Sequence, residues 1–245
     1  MHEIVAALRE QQDELTALLE SLDEDGWAAP SACAGWSVAD VALHLVQTNE
    51  MAVASATGTL PAVASVPDPG AIDVGADAAV ARERGAPPAE LLARWKDGAI
   101  ELCGALLACD PSTRLQWVAG TLAARTLTTT RLAETWIHTG DAYHPFGPPP
   151  APTDRLWHVA RLAHRTLPYA FSQAGLAMSG DVAFRLVAPS GAAWSFGPDD
   201  APTVISGDGV ELCQVASRRV PPSSTSLVGT GPDASAVLDV VRTWA

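Results

Sequence analysis

Arg131-Leu132-Ala133-Glu134-Thr135-Trp136-Ile137-His138-Thr139-Gly140-Asp141 carries ionisable side chains at helical spacing. Glu134 and His138 are four residues apart, so on a helix they project from one face. Asp141 lies three further on and falls on the same side, and Thr130 extends the polar stripe one turn earlier. Leu127 ends the stripe, while Leu132 and Trp136 supply core packing on the opposite side. Such a helix is expected where both faces meet protein and one lines a polar cavity. Taken alone, Glu-x-x-x-His equally describes a solvent-exposed ion pair, so a metal reading needs a further ligand from another element.

The other helices predicted in the N-terminal half offer one further histidine. Residues 3–22 carry Ile4, Leu8, Leu15, Leu18, Leu19 and Leu22 at helical spacing. Gly26 is expected to end that helix, with Trp27 and Pro30 in a connecting loop. A second helix starts at Ser37, where Asp40 three residues later forms a capping-box variant, and Val38, Val41, Leu45 and Val46 give it an apolar face. His44 sits at the edge of that face, a position that also suits a hydrogen-bonded core histidine. Residues 52–76, with Pro61, Pro67 and Pro69, suggest a long loop. A third helix is predicted over Pro88–Ala108, with Leu91, Leu92, Trp95, Ile100, Leu106 and Leu107 apolar, and a fourth over Leu122–Tyr143, stopped by Pro145. His144, just past it, points away from the ligand stripe and suits a surface or loop role.

Four such helices suit a bundle, and facing helices of a bundle are where inward-pointing metal ligands are found. His44, Glu134 and His138 together form the candidate metal site. Two imidazoles and a carboxylate leave coordination positions open for water or substrate, and they accept zinc first, with nickel or iron as alternatives. Asp141 is a distal ligand, an outer-shell partner that orients a histidine, or a plain helix-face aspartate.

Pro148-Pro149-Pro150 and Pro152 mark a stiff boundary, giving a bundle over residues 1–147 and a small α/β domain over 148–245. In the latter, Asp154–Ala170 reads as helix, Val182–Leu186 as a strand that returns through Ser190-Gly191 to Ala193–Phe196, and Thr203–Ser206 as another strand. Val210–Arg218 and Ser235–Thr243 read as helices.

Nearly half of the 245 residues are apolar, enough for a sizeable core, and the net charge of −13 repels nucleic-acid phosphates. No uninterrupted apolar run reaches a membrane span and the N-terminus lacks a signal-peptide pattern, so a cytoplasmic protein with no membrane partner is expected. Cys33, Cys103, Cys109 and Cys213 make no Cys-x-x-Cys pair and are expected as reduced thiols.

Trp27…Pro30-Ser31…Gly35-Trp36-Ser37-Val38-Ala39-Asp40-Val41-Ala42-Leu43-His44-Leu45 resembles the second-helix signature of the mycothiol-dependent maleylpyruvate isomerase family, within the DinB-like metal-binding four-helix bundles. The run Arg131–Asp141 resembles the family's second ligand segment. Thr153-Asp154-Arg155-Leu156…Arg165-Thr166…Pro168-Tyr169-Ala170 resembles an uncharacterised actinobacterial metal-binding subgroup. The resemblance covers nearly the whole chain. It implies zinc on His44, Glu134 and His138, a sterol-carrier-like α/β C-terminal domain, and an active-site arginine from that domain, for which Arg218 and Arg219 lie in the matching region. Ala142-Tyr143-His144-Pro145-Phe146 departs from the subgroup, whose helix continues there.

Three functions follow as expectations. The resemblance implies mycothiol-dependent isomerisation or S-transfer on a small-molecule electrophile by a monomer or homodimer. The alternatives are thiol-independent metal-dependent hydrolysis, dehydration or cyclisation, and a non-catalytic metal- or ligand-binding protein.

Overall fold

The computed structural model describes residues 1–61, 69–118 and 120–243, which form two compact units, Met1–Pro150 and Ala151–Ala245. The first contains α1 (His2–Ser21), α2 (Glu24–Ala28), α3 (Val38–Ala56), α4 (Pro69–Glu83), α5 (Pro88–Ala108), a hairpin of β1 (Arg114–Trp117) and β2 (Gly120–Ala123), and α6 (Ala124–Tyr143).

The bundle is made by α1, α3, α5 and α6, with α3 packed chiefly on α5 and α1 on α6. Leu15, Leu19, Val41, Leu45, Leu91 and Trp95 share one buried cluster. Each aliphatic side chain buried there contributes on the order of 1.5–3 kcal/mol. Trp95 is enclosed without leaving its indole N–H unpaired, because Nε1 donates to Thr16 Oγ1 at 2.9 Å. Across the α1–α6 contact, Gln11 Nε2 donates to Thr139 Oγ1 at 3.2 Å.

The start of α3 is fixed twice. Ser37 Oγ accepts from the Asp40 N–H, and Asp40 Oδ2 accepts from the Ser37 N–H, at 3.2 and 2.9 Å. Asp40 is further held by Arg84 Nε at 2.9 Å. The loop before it folds back through a bridge between Pro30 and Ser37 and is tied to α6 by the Ala32 N–H, which donates to the Asp141 carbonyl at 3.0 Å.

The structure corrects several local expectations. Gly26 and Trp27 lie in α2 rather than in a loop, because Asp23 Oδ1 caps the Gly26 N–H at 2.9 Å and Trp27 finds a buried position. The supposed loop 52–76 is largely helical among its described residues: α3 runs to Ala56 and α4 begins at Pro69, while residues 62–68 lie outside the described residues. Alanine-rich sequence after Gly70 has high helix propensity, and Val80 gives α4 a buried anchor in the core. Ile100 and Leu107, counted on the apolar face of α5, face solvent. A hairpin stands where the sequence suggests the start of the fourth helix; Leu115 and Trp117 bury its inner face, and α6 starts at Ala124.

In the second unit α7 (Trp157–Arg165), preceded by a 3-10 turn at Asp154–Leu156, and α8 (Leu167–Gln173) replace one expected helix. Pro168 cannot supply an N–H to continue α7, so it sits in the first turn of a new helix instead. The sheet has the order β4-β3-β5-β6, from β3 (Val182–Val187), β4 (Ala193–Phe196), β5 (Thr203–Asp208) and β6 (Val228–Thr230). β3 pairs parallel with β5 and antiparallel with β4, and β6 pairs antiparallel with β5. α9 (Gly209–Ala216) lies between β5 and β6, and α10 (Ala234–Val240) follows β6. Gly197, after β4, takes a positive φ where a Cβ would strike the Val182 carbonyl. Among the described residues, no helix is long and apolar enough to cross a membrane.

Candidate metal centre

α3 starts after the cap at Ser37, and seven residues on His44 faces α6. There His44 Nε2 lies 3.8 Å from Glu134 Oε2, and His138 Nε2 lies 3.6 Å from the same oxygen. The two imidazole centroids are 4.9 Å apart, edge to face. All three residues are at most 9% exposed. These separations are too long for good hydrogen bonds. They approach the edge of a tetrahedron around one ion with ~2.0–2.1 Å bonds, which is roughly 3.4 Å. Nitrogen and carboxylate oxygen donors converging at this spacing fit a divalent ion.

Asp141 lies beneath His138. Its Oδ2 is 2.9 Å from His138 Nδ1, and Cys33 Sγ donates to the same oxygen at 3.2 Å. With Nδ1 engaged by Asp141, Nε2 is the nitrogen left facing Glu134 and His44. Cys33, His138 and Asp141 form a second convergent group sharing the His138 ring with the first. Trp36 lies against both imidazoles, tilted on His44 with centroids 5.2 Å apart and more nearly parallel to His138 at 6.5 Å. Its indole N–H donates to Asp77 Oδ1 on α4 at 2.9 Å.

The electrostatics differ between the three central groups. Burial lowers the His44 pKa below the usual histidine value, outweighing the pull of Glu134. Burial favours the neutral form of Glu134, but His138 and His44 overcome it and hold the carboxyl well below the usual range. Burial also opposes charge on His138, yet Asp141, Cys33 and Glu134 together raise its pKa well above the usual value.

One turn before Glu134, Arg131 is 1% exposed. Its Nη2 donates to Asn49 Oδ1 at 3.2 Å, while Arg131 Nε and Asn49 Nδ2 find no hydrogen-bond partner. Burial pulls its pKa down to about 10, with Glu134 opposing, so it stays charged at neutral pH.

Sequence reasoning therefore located His44, Glu134, His138 and Asp141, which the structure brings together, and passed over Cys33, Trp36, Arg131 and Asn49. Arg131 stands three residues before Glu134, a spacing that places it on a neighbouring part of the same face, and this was the available signal. Cys33 and Trp36 are returned to the site by the turn at Gly35, whose φ is +78°. Arg218 and Arg219 belong to the second unit and follow α9 rather than lie in it. Arg218 takes a φ of +61° and donates to the Asp239 carbonyl at 2.8 Å, and Arg219 donates to the Ser217 carbonyl at 3.1 Å. His144 is exposed at the end of α6. All four cysteines are free thiols, Cys103 and Cys213 buried.

A family model described as the mycothiol maleylpyruvate isomerase N-terminal domain matches residues 8–143. Uncharacterised proteins from two strains of Mycobacterium tuberculosis are each 32% identical over 247 residues, covering 98% of this chain and 95% of theirs. A crystal structure of the mycothiol-dependent maleylpyruvate isomerase superposes with a TM-score of 0.64 at 19% identity, covering 94% of this chain and 95% of that one. A histidine-to-alanine variant of that isomerase superposes at 0.60 with the same identity and coverage.

Proposed function

We propose that this chain, which belongs to the mycothiol maleylpyruvate isomerase family, holds one divalent ion through His44, Glu134 and His138 and uses it in thiol chemistry on a small electrophile. The observation that carries this reading is the convergence of His44 Nε2, His138 Nε2 and Glu134 Oε2 at spacings suited to an ion. Zinc is the expected metal, and nickel or iron suit the same donors. Held by three protein ligands, the ion would supply an open Lewis-acid position that favours the thiolate form of a thiol.

The chain's own residues then have defined tasks. Asp141 fixes the orientation of His138 so that Nε2 faces the ion, and Cys33 steadies Asp141. Trp36 covers the imidazoles and limits water around them. In the isomerisation that the family name implies, a mycothiol thiolate would add to a conjugated double bond. Rotation about the resulting single bond and expulsion of the same thiolate would return the isomerised alkene. S-transfer shares the first step and keeps the new carbon–sulfur bond. Neither uses a protein cysteine as nucleophile. We place this activity in the cytoplasm, on a small-molecule substrate, with the protein acting as a monomer or homodimer.

The test is turnover of maleylpyruvate and other small electrophiles with and without mycothiol, on protein of measured metal content. Turnover that needs both metal and thiol supports the reading. Turnover without a thiol overturns it in favour of metal-dependent hydrolysis, dehydration or cyclisation.

A further inference from the structure

We propose that Arg131 sets the charge preference of the metal centre, making its open position select an anionic ligand over a neutral one. This rests on the metal reading above and deepens it.

The starting point is a buried cation that lacks a carboxylate partner. Among the described residues, no carboxylate oxygen lies within ion-pairing distance of the Arg131 guanidinium, whose one side-chain hydrogen bond goes to the neutral Asn49. Taking such a charge out of water is costly, and a well-packed apolar residue would suit the helix contact better. Arg131 nevertheless lies beside the centre: it stands one helical turn before Glu134 on α6, and its hydrogen bond to Asn49 ties it to α3, the helix that carries His44. The carboxylates of Glu134 and Asp141 together match a divalent ion, so with neutral imidazoles the centre without Arg131 would be balanced. Arg131 leaves it one positive charge in excess, in surroundings that water screens poorly. An anion at the open position, such as a thiolate, restores the balance; a neutral thiol, water or imidazole does not. Arg131 reaches the ligand only through the field and touches no ion, so it is a specificity-determining residue rather than a catalytic one.

The test uses cobalt-loaded full-length protein, with ligand entry followed in the cobalt absorption spectrum. Azide serves as the small anion and imidazole as the neutral ligand. Arg131→Met should weaken azide binding on the order of tenfold or more while imidazole affinity changes less than about threefold. Arg131→Lys keeps the charge but not the fork that meets Asn49, and should hold azide within about threefold of the wild type. Asn49→Leu removes the hydrogen bond alone and should do the same.

The proposal is overturned if Arg131→Met leaves azide affinity unchanged, or lowers azide and imidazole alike. If Arg131→Met does not fold, the Lys variant decides: a tenfold loss of azide affinity in folded, cobalt-loaded Arg131→Lys contradicts a charge effect. Wild-type protein that takes up no cobalt defeats the metal reading and this inference with it. Cobalt uptake with indifferent variants defeats this inference alone.

Discussion

Asp141 Oδ2 meets His138 Nδ1 at 2.9 Å, with the carboxylate 3% exposed and the Cys33 thiol on the same oxygen. A carboxylate in that place fixes both the tautomer and the rotation of a ligating imidazole. Asp141→Ala is therefore expected to weaken metal binding by roughly 10–100-fold without abolishing it. Competition with a chelator of known affinity measures this. Unchanged affinity would reduce Asp141 to a structural role.

Removal of a ligand should do more. His44→Ala, Glu134→Ala and His138→Ala each leave two of three donors, and metal content after dialysis should fall to a small fraction of the wild type. The bundle should persist, since Leu15, Leu45, Leu91 and Trp95 are buried independently of the site. The three variants should differ in metal-free stability. Glu134→Ala strips Arg131 of the carboxylate charge that opposes its desolvation, so it should be the least stable, by roughly 1–3 kcal/mol relative to His44→Ala. Denaturant melts of the metal-free proteins check the order.

Metal uptake should release a proton. Despite burial, Asp141, Cys33 and Glu134 hold the His138 pKa well above 6.5, so the metal-free protein carries that proton at pH 7, and a ligating nitrogen must lose it. Affinity should rise with pH above 6.5 until the raised value is passed. The same group stabilises the metal-free fold fully below pH 6.5, and that contribution is lost as pH rises through the folded-state pKa. Calorimetric metal titrations in buffers of different ionisation enthalpy count the proton. Zero release at pH 7 would contradict the charged state of His138.

Ser37→Ala should cost about 0.5–2 kcal/mol of stability, because it removes the oxygen that caps α3. Metal affinity should change little, since seven residues of intact helix still carry His44. A chemical denaturation curve, read beside a metal titration, separates the two effects.

The bundle was legible from helical periodicity, and the grouping of His44 with Glu134 and His138 from the expectation that facing helices of a bundle point polar residues inward. Glu134 and His138 announce their shared face by spacing alone, and Ser37 with Asp40 marks where α3 begins. What was illegible depended on tertiary context. Pro61, Pro67 and Pro69 suggest a loop over 52–76, yet α4 forms where Val80 can join the core and Asp77 can hold Trp36. The β1–β2 hairpin is four residues a side, too short for alternation to stand out from the α6 pattern beside it. The burial of Arg131 carried no sequence signal, because it depends on a contact with Asn49 of α3, which spacing on α6 cannot reveal.

The most direct test of the account is the spectrum of cobalt-loaded protein titrated with mycothiol. A sulfur-to-cobalt charge-transfer band arises only when a thiolate ligates the ion, and the thiol-free cobalt form gives the baseline against any contribution from Cys33. The account predicts a saturable band with mycothiol, a weaker response to simple thiols lacking its sugar, and loss of the band in Glu134→Ala and His138→Ala. A cobalt-loaded protein that shows no new band at saturating mycothiol would contradict thiol chemistry at this centre.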